Sequence, residues 1–270
     1  DAAPVTWVGD QDHEWSLEKE GMEEALSYIM RAARLGYGVI GSDIGGYGGS
    51  TIPPEVYIRW AQFSAFNGLF LNGGHGERRL WLRSPEELET IRRFAWLHNE
   101  LVPYIYSHLV EQHHGGPTLM RPTSFHHQYL FGDAFFVAPI YAPSKDGRQS
   151  SWRVKLPEGR WRYLHDTREV IEGPATFERE YPLSEAAVYV RDGAIIPMNV
   201  TRAYTGFGDR DSTGYLTLAL FPHGESAFTI HNTDGAGVTT VTMTEGRPLR
   251  VRVEGVKKPH ILRVRMDQAP

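Results

Sequence analysis

The sequence predicts an α/β layer in residues 1–115 and an all-β remainder. In the first part, helical apolar patterns alternate with short buried-strand patterns in the order helix, strand, helix, strand, helix. This order is typical of a parallel α/β layer, and specifically of part of a (β/α)8 TIM barrel. After residue 116, short runs of alternating apolar and polar residues are separated by turns, which indicates two antiparallel β-sandwich domains.

Three helices are predicted in the first part. Gly36 ends the first helix, Pro53 opens the second, and Ser84 is the expected N-cap of the third. The third helix is expected to continue towards Leu109, with a bend at Pro103. The apolar residues that define the first helix are Met22, Leu26, Ile29, Met30 and Ala33.

Short buried strands are predicted at 38–41 and 68–71 in the first part. In the all-β part, turns are expected at 157–159 and 191–193, and residues 206–214 are expected to form a linker. The strands expected there are 135–140, 152–157, 187–190 and 194–197, with further alternation after residue 215.

The composition excludes several classes of protein. Hydrophobic residues make up 41% and charged residues 23%, which is ordinary for a globular chain. A net charge of −5 argues against a nucleic-acid partner, and no apolar run approaches the roughly 20 residues of a membrane span. The absence of cysteine excludes disulfides and thiolate metal sites but leaves the compartment open. Since the chain has neither a starting methionine nor a signal-peptide pattern, its N-terminus is expected to be processed or truncated.

Two motifs about thirty residues apart place carboxylates in glycine-lined turns. Asp10 ends the sequence W-V-G-D, and Asp43 lies within G-S-D-I-G-G-Y. Carboxylates beside aromatic residues at the C-terminal ends of barrel strands suit sugar chemistry. The residues alone leave alternatives open, because Asp43 could cap its loop by accepting hydrogen bonds from nearby N–H groups and Asp10 could be a helix cap or a surface acid.

Together with four further motifs, these residues make the chain resemble glycoside hydrolase family 31, the α-glucosidase and α-xylosidase family. The further motifs are Y-I-R-W-A-Q-F-S-A-F at 57–66, L-V-P-Y-I-Y-S at 101–107, P-T-L-M-R-P at 117–122 and F-G-D-A-F-F-V-A-P at 131–139. The resemblance covers residues 5–200 well. It implies that 1–115 is the C-terminal portion of a catalytic barrel, 116–205 a proximal β-sandwich domain and 206–270 a distal β domain.

The resemblance implies retaining hydrolysis of terminal α-linked sugars by double displacement. The family's acid/base aspartate corresponds to Asp10, and Trp7 and Trp15 are expected to give it apolar surroundings. Trp7 is also expected to form a wall of the sugar site. The family's nucleophilic aspartate lies on an earlier strand, so the resemblance implies a fragment that needs the upstream half of the same protein and is inactive alone.

The resemblance also suggests residues that contact the sugar. Asp43 corresponds to the aspartate after the family's seventh strand, where a carboxylate accepts hydrogen bonds from sugar hydroxyls. His75 matches the family's sugar-contacting histidine only if its loop is shifted. Asn72 or Glu77 is therefore an alternative contact, and a histidine in solvent is equally compatible with the sequence.

Arg79 is the expected arginine at the rim of the site, with structural pairing as the alternative. The glycone is open among glucose, galactose, xylose and a sulfonated sugar. A second class of function is a non-catalytic carbohydrate-binding or structural fragment. The exposed apolar edges of a partial barrel predict poor solubility for the isolated chain.

No metal, cofactor or nucleotide is expected. The adjacent pairs His113-His114 and His126-His127 do not predict a zinc site, because neighbouring side chains on a helix or strand do not converge on one ion. The glycine-rich turn at 45–49 lacks the Lys-Ser/Thr of a phosphate-binding loop. The expected partner is a carbohydrate substrate, and a homo-oligomer is left open.

Overall fold

The computed structural model describes residues 5–49, 51–73, 76–255 and 259–265. The helices in this part are α1 (Met22–Arg34), α2 (Pro54–Ser64), α3 (Pro85–Glu100) and α4 (Val102–His113). The strands are β1 (Thr6–Val8), β2 (Ile40–Ser42), β3 (Met120–Pro122), β4 (Tyr129–Phe131), β5 (Phe135–Val137), β6 (Gln149–Tyr163), β7 (Asp166–Pro182), β8 (Val188–Arg191), β9 (Ile195–Met198), β10 (Leu216–Leu220), β11 (Glu225–His231), β12 (Val238–Thr244), β13 (Arg250–Gly255) and β14 (His260–Val264). Within these described ranges, no helix combines the length and apolar character needed to cross a bilayer.

The first part of the chain has three adjacent parallel segments. β1 pairs with β2 in parallel, with Val8 opposite Ser42. Asp43, directly after β2, forms a parallel bridge with Leu71. A Cβ at Gly41 would lie 2.3 Å from the carbonyl oxygen of Leu69, so only glycine permits this close approach. The predicted strand at 68–71 is therefore reduced to a single bridge residue.

The helices follow their local sequence signals. The predicted apolar face of α1 is buried, which confirms that helix. Ser84 caps α3 through a capping box with Glu87. The predicted long third helix is wrong, because α3 ends at Glu100 and α4 begins at Val102 with Pro103 in its first turn. Pro103 cannot donate the hydrogen bond that would continue α3.

The β part begins with a six-stranded sheet in the order β3-β4-β5-β8-β6-β7, in which every neighbouring pair is antiparallel. The predicted turn at 157–159 is wrong, because β6 continues through these residues. The register of β6 against β7 shifts between Leu156 and Gly159, as in a β-bulge. The turn predicted at 191–193 is confirmed between β8 and β9.

The last strands form two small sheets, β9-β10-β14 and β11-β12-β13. Both sheets contribute to one buried apolar cluster, so they pack on each other. Its fully buried members are Ile195, Leu218, Leu220, Ile230, Val241 and Met243. β10 pairs with β14 in parallel, so the prediction of purely antiparallel sheets is wrong for this pair. β9, which the sequence places in the proximal domain, pairs with β10.

The contact between the helices and the β part, which we call the junction, is closely packed and polar at its centre. Arg59 of α2 is 1% exposed. Its guanidinium donates to the carbonyl oxygens of Glu185 and Tyr181 at 2.8 and 2.9 Å and to the Ser150 hydroxyl at 3.0 Å. Gln62, one turn further along α2, donates to the carbonyl oxygen of Leu183, just after β7, at 2.7 Å. These bonds fix α2 against the six-stranded sheet.

Candidate active site

The candidate site lies where β1 and β2 end. Because these strands are parallel and in register, the residues that follow them emerge at the same edge. Gly9 and Asp10 follow β1, and Asp43 follows β2. A Cβ on Gly9 would lie 3.3 Å from Oδ2 of Asp43, which places the Asp43 carboxylate directly beside the Gly9 backbone. The fold therefore brings the two motifs together.

The loops that carry the two aspartates are fixed to each other by backbone hydrogen bonds. The N–H of Tyr47 donates to the carbonyl oxygen of Gln11 at 2.7 Å. Gly46 has φ +83°, and a Cβ there would lie 2.7 Å from the carbonyl oxygens of Gln11 and Asp12. The glycine-rich turn after Asp43 is thus required by the close contact of the two loops.

The two carboxylates have different surroundings. Asp43 is only 6% exposed, whereas Asp10 is exposed. Trp7 is 57% exposed and Trp15 packs on the hydrophobic core. Their expected role as the apolar surroundings of Asp10 stays a prediction. Trp7 and Tyr47 present exposed aromatic rings at the same edge. An open, aromatic and acidic surface results.

Arg78 adds a buried cation to this surface. Its guanidinium donates to the carbonyl oxygen of Gly46. Burial lowers the pKa of Arg78, and the nearby negative charge of Asp43 only partly offsets this effect. Arg79, the residue singled out from the sequence, is exposed, and its Nε donates to the carbonyl of Gly76 at 2.9 Å. Nothing in the sequence distinguishes these neighbouring arginines, since the local turn decides which side chain points inwards.

The loop between Leu71 and α3 holds the other suggested sugar contacts. His75 lies outside the described residues. The Tyr57 hydroxyl donates to Oδ1 of Asn72 at 2.5 Å, and the Asn72 amide donates to the carbonyl of Arg78 at 3.1 Å. Oε2 of Glu77 accepts a hydrogen bond from the backbone N–H of Ile52, just before α2, at 2.8 Å. Asn72 and Glu77 therefore hold the loop together in this structure.

We call the set of Trp7, Asp10, Asp43, Tyr47 and Arg78 the strand-end surface. A cavity of about 810 Å³ lies elsewhere, between α3, the end of the β6–β7 hairpin and residues 203–207. Neither Asp10 nor Asp43 lines it. The size of a cavity thus does not identify the site, whereas the convergence of two acids, a buried arginine and exposed aromatic rings at strand ends does.

Two protein-family models match the chain. Residues 1–108 match the glycosyl hydrolases family 31 TIM-barrel domain, and residues 112–196 match the glycosyl hydrolase family 31 C-terminal domain. The chain belongs to glycoside hydrolase family 31. The first family 31 match contains Asp10 and Asp43, and the second covers the whole six-stranded sheet.

Relatives in family 31 are considerably longer than this chain. Neutral alpha-glucosidase AB of Homo sapiens is 30% identical over 248 residues, which are 86% of this chain and 25% of that protein. Alpha-glucosidase 2 of Bacillus thermoamyloliquefaciens is 25% identical over 275 residues, covering 96% of this chain and 33% of that protein. The crystal structure of an alpha-xylosidase from Xanthomonas citri superposes with a TM-score of 0.76 at 24% identity, over 98% of this chain and 32% of that one. The chain thus spans a quarter to a third of these proteins.

Proposed function

We propose that the protein containing this chain is a retaining α-glycosidase that hydrolyses terminal α-linked sugars, and that this chain supplies its acid/base. The observation that carries the proposal is the meeting of Asp10 and Asp43 at the ends of adjacent parallel strands, with the Asp43 carboxylate beside Gly9. Family 31 membership supports it.

Asp10 would protonate the leaving-group oxygen and then activate water, with the nucleophilic carboxylate supplied from upstream of residue 1. The exposure of Asp10 fits the acid/base role, because an acid/base must reach both the leaving group and a water molecule. The outer edge of β1 has no partner among the described residues, so it offers a place for an upstream strand of the same barrel. The isolated chain is then inactive.

The glycone would lie against the strand-end surface. Asp43 would accept hydrogen bonds from two sugar hydroxyls, and Trp7 would cover an apolar face of the ring. Arg78 is placed to hold the Asp43 carboxylate in position. Arg79 would lie at the rim, and His75 would complete the contacts. Glucose is the proposed glycone, with galactose, xylose or a sulfonated sugar as alternatives.

We further propose that residues 116–205 and 206–270 are two β-sandwich domains that support the barrel. The packing of the two small sheets around one apolar cluster supports the distal unit. Strand β9, which lies within residues 116–205, pairs with β10 of the distal unit and so connects the two proposed domains.

The test is hydrolysis of a panel of 4-nitrophenyl α-glycosides and unactivated α-linked disaccharides by the full-length product of the gene. Asp10→Asn should lower kcat/KM on the disaccharides by about 10²–10⁴-fold, because general acid catalysis is lost. The loss should be smaller on aryl glycosides, whose leaving group needs little protonation, and azide should restore turnover there.

The matched control is Glu18→Gln, an exposed acid in the loop that follows Asp10, which should keep wild-type activity. Unchanged disaccharide hydrolysis by Asp10→Asn would exclude Asp10 as the acid/base. A well-folded full-length protein with no activity on any α-glycoside would instead support the carbohydrate-binding or structural alternative.

A further inference from the structure

A second cluster of ionisable side chains lies away from the strand-end surface, where α1 meets the turn between β3 and β4. The turn is closed by the N–H of Thr123 donating to the carbonyl of Gln128 at 2.8 Å. Glu23 of α1 and the adjacent residues His126 and His127 each place one ligand-type atom here, and these atoms lie within 4.8 Å of one another. Nothing in the proposed glycosidase chemistry uses these side chains.

The backbone explains why the two neighbouring histidines converge. His127 has φ +57°, in the left-handed region, so the alternation of side chains along an extended chain is broken at this residue. The rings of His126 and His127 have centroids 3.8 Å apart. The sequence argument that adjacent histidines point apart is therefore wrong for this pair. At the end of α4, the His113 and His114 rings are 5.4 Å apart, and no metal-type cluster is found at that pair within the described residues.

One nitrogen of the cluster, Nε2 of His127, has no hydrogen-bond partner in the protein. The His127 side chain is only 5% exposed, and its Nε2 atom is buried without a hydrogen-bond partner. The nearest carboxylate oxygen, Oε1 of Glu23, is 3.9 Å away, which is too far for a hydrogen bond. Burying a polar atom without a partner is unfavourable, so this nitrogen is available to bind a ligand.

The carboxylate opposite this nitrogen is already oriented. Oε2 of Glu23 accepts a hydrogen bond from the backbone N–H of Leu17 at 3.2 Å, which leaves Oε1 facing His127. Outer contacts of this kind orient metal ligands in proteins.

We propose that Glu23, His126 and His127 bind one divalent transition-metal ion, with zinc as the best match. Two imidazoles and one carboxylate are a donor set that zinc accepts, with water in the fourth position. Ligand atoms around tetrahedral zinc lie about 3.3 Å apart, so the 3.9 Å gap between Nε2 and Oε1 closes with a small side-chain movement. The ion would join α1 of the barrel portion to the β part, which is a structural role.

The test is calorimetric titration of zinc chloride into the full-length protein after chelation and dialysis. One ion per chain should bind to the wild type. His127→Gln and Glu23→Gln should each weaken binding by more than about tenfold, the lower limit seen even for loss of an outer contact. His113→Gln, from the other adjacent pair, is the matched control and should bind zinc as the wild type does.

Circular dichroism of the metal-free variants separates loss of a ligand from loss of the fold. Glu23 has a side chain that is 26% exposed, so Glu23→Gln is the variant that disturbs packing least. No stoichiometric zinc binding by the wild type, or binding left unchanged in both Glu23→Gln and His127→Gln, would overturn the proposal. Neither result depends on glycosidase activity.

Discussion

The strand-end surface and the junction are built in opposite ways. At the strand-end surface, Asp10 and Trp7 are exposed and the loops are held mainly by backbone contacts. At the junction, Arg59 and Tyr104 are almost fully buried and side chains make the connecting hydrogen bonds. Buried side-chain hydrogen bonds are thus concentrated where helices meet sheet, whereas Asp10 and Trp7 lie open at the strand-end surface. Mutations should therefore separate stability from activity by region.

The largest expected effect is at the centre of the junction. Arg59→Met should lower the free energy of unfolding by about 3–5 kcal/mol, because several buried acceptors lose their donor, each at about 1–3 kcal/mol and not additively. Chemical denaturation measures the change. Arg202→Met, an exposed arginine, is the control and should stay within about 0.5 kcal/mol of the wild type. Equal effects of the two substitutions would break the comparison.

The β4–β5 hairpin tests the packing of the same region. Gly132 has φ +54°, and a Cβ there would lie 2.0 Å from the buried Tyr104 hydroxyl. Gly132→Ala should cost about 2–4 kcal/mol through overpacking and backbone strain. Gly147→Ala has a similar φ of +72° and open space around it, so it should cost only about 1 kcal/mol. Matching thermal midpoints for the two variants would show that the close contact carries no cost.

The junction should also give the stability a pH dependence through Glu100. Burial raises the pKa of Glu100 to about 7 from its usual 4.5, and the Thr205 hydroxyl opposes this by donating to its carboxylate. Between these two pH values the folded state holds a proton that the unfolded state has released, so stability falls as pH rises through this window.

Glu100→Gln cannot ionise, so it should not lose stability in this window. The difference in unfolding free energy between Glu100→Gln and the wild type should therefore shift in favour of the variant by about 1–3 kcal/mol between pH 4.5 and pH 8. Denaturation curves at several pH values measure the difference. Glu89→Gln, on the exposed face of the same helix, should show no such dependence. A constant difference between Glu100→Gln and the wild type from pH 4.5 to 8 would contradict the proposed proton linkage.

The smallest effects distinguish the two acids of the strand-end surface. Asp43→Ala should cost about 1–3 kcal/mol, because Asp43 is buried and its charge offsets the burial of Arg78. Asp10→Ala should change stability by no more than about 0.5 kcal/mol, since Asp10 is exposed. Denaturation of the two variants measures both values. A large stability loss in Asp10→Ala would mean that Asp10 supports the fold.

Much of the fold follows from local chemistry that a sequence displays. Ser84 and Glu87 form the capping box that their spacing predicts, and the apolar face of α1 is buried as its spacing predicts. The turn expected around Gly159 becomes a bulge, because pairing of the long β6 and β7 strands overrides a local glycine signal. The parallel pairing of β10 with β14 depends on contacts between distant residues, which no local pattern contains.

The candidate site divides in the same way. The short strand that leads into Asp43 was predicted and is confirmed, whereas no strand was assigned ahead of Asp10, where the structure has β1. Their roles in catalysis and sugar binding stay predictions. The sequence did not single out Arg78, since its burial depends on a single turn. It also missed the meeting of His127 with Glu23, which requires a left-handed residue and a helix from another part of the chain.

The hydrogen bonds of Arg59 also set the order of events during synthesis. Its carbonyl acceptors at Tyr181 and Glu185 follow it by 122 and 126 residues. At translation rates of about 5–20 residues per second, α2 waits about 6–25 s for these partners to leave the ribosome. The barrel portion therefore reaches its final form only after the six-stranded sheet has emerged. A chain truncated before β7 would lack these acceptors, so its Arg59 would remain exposed to water.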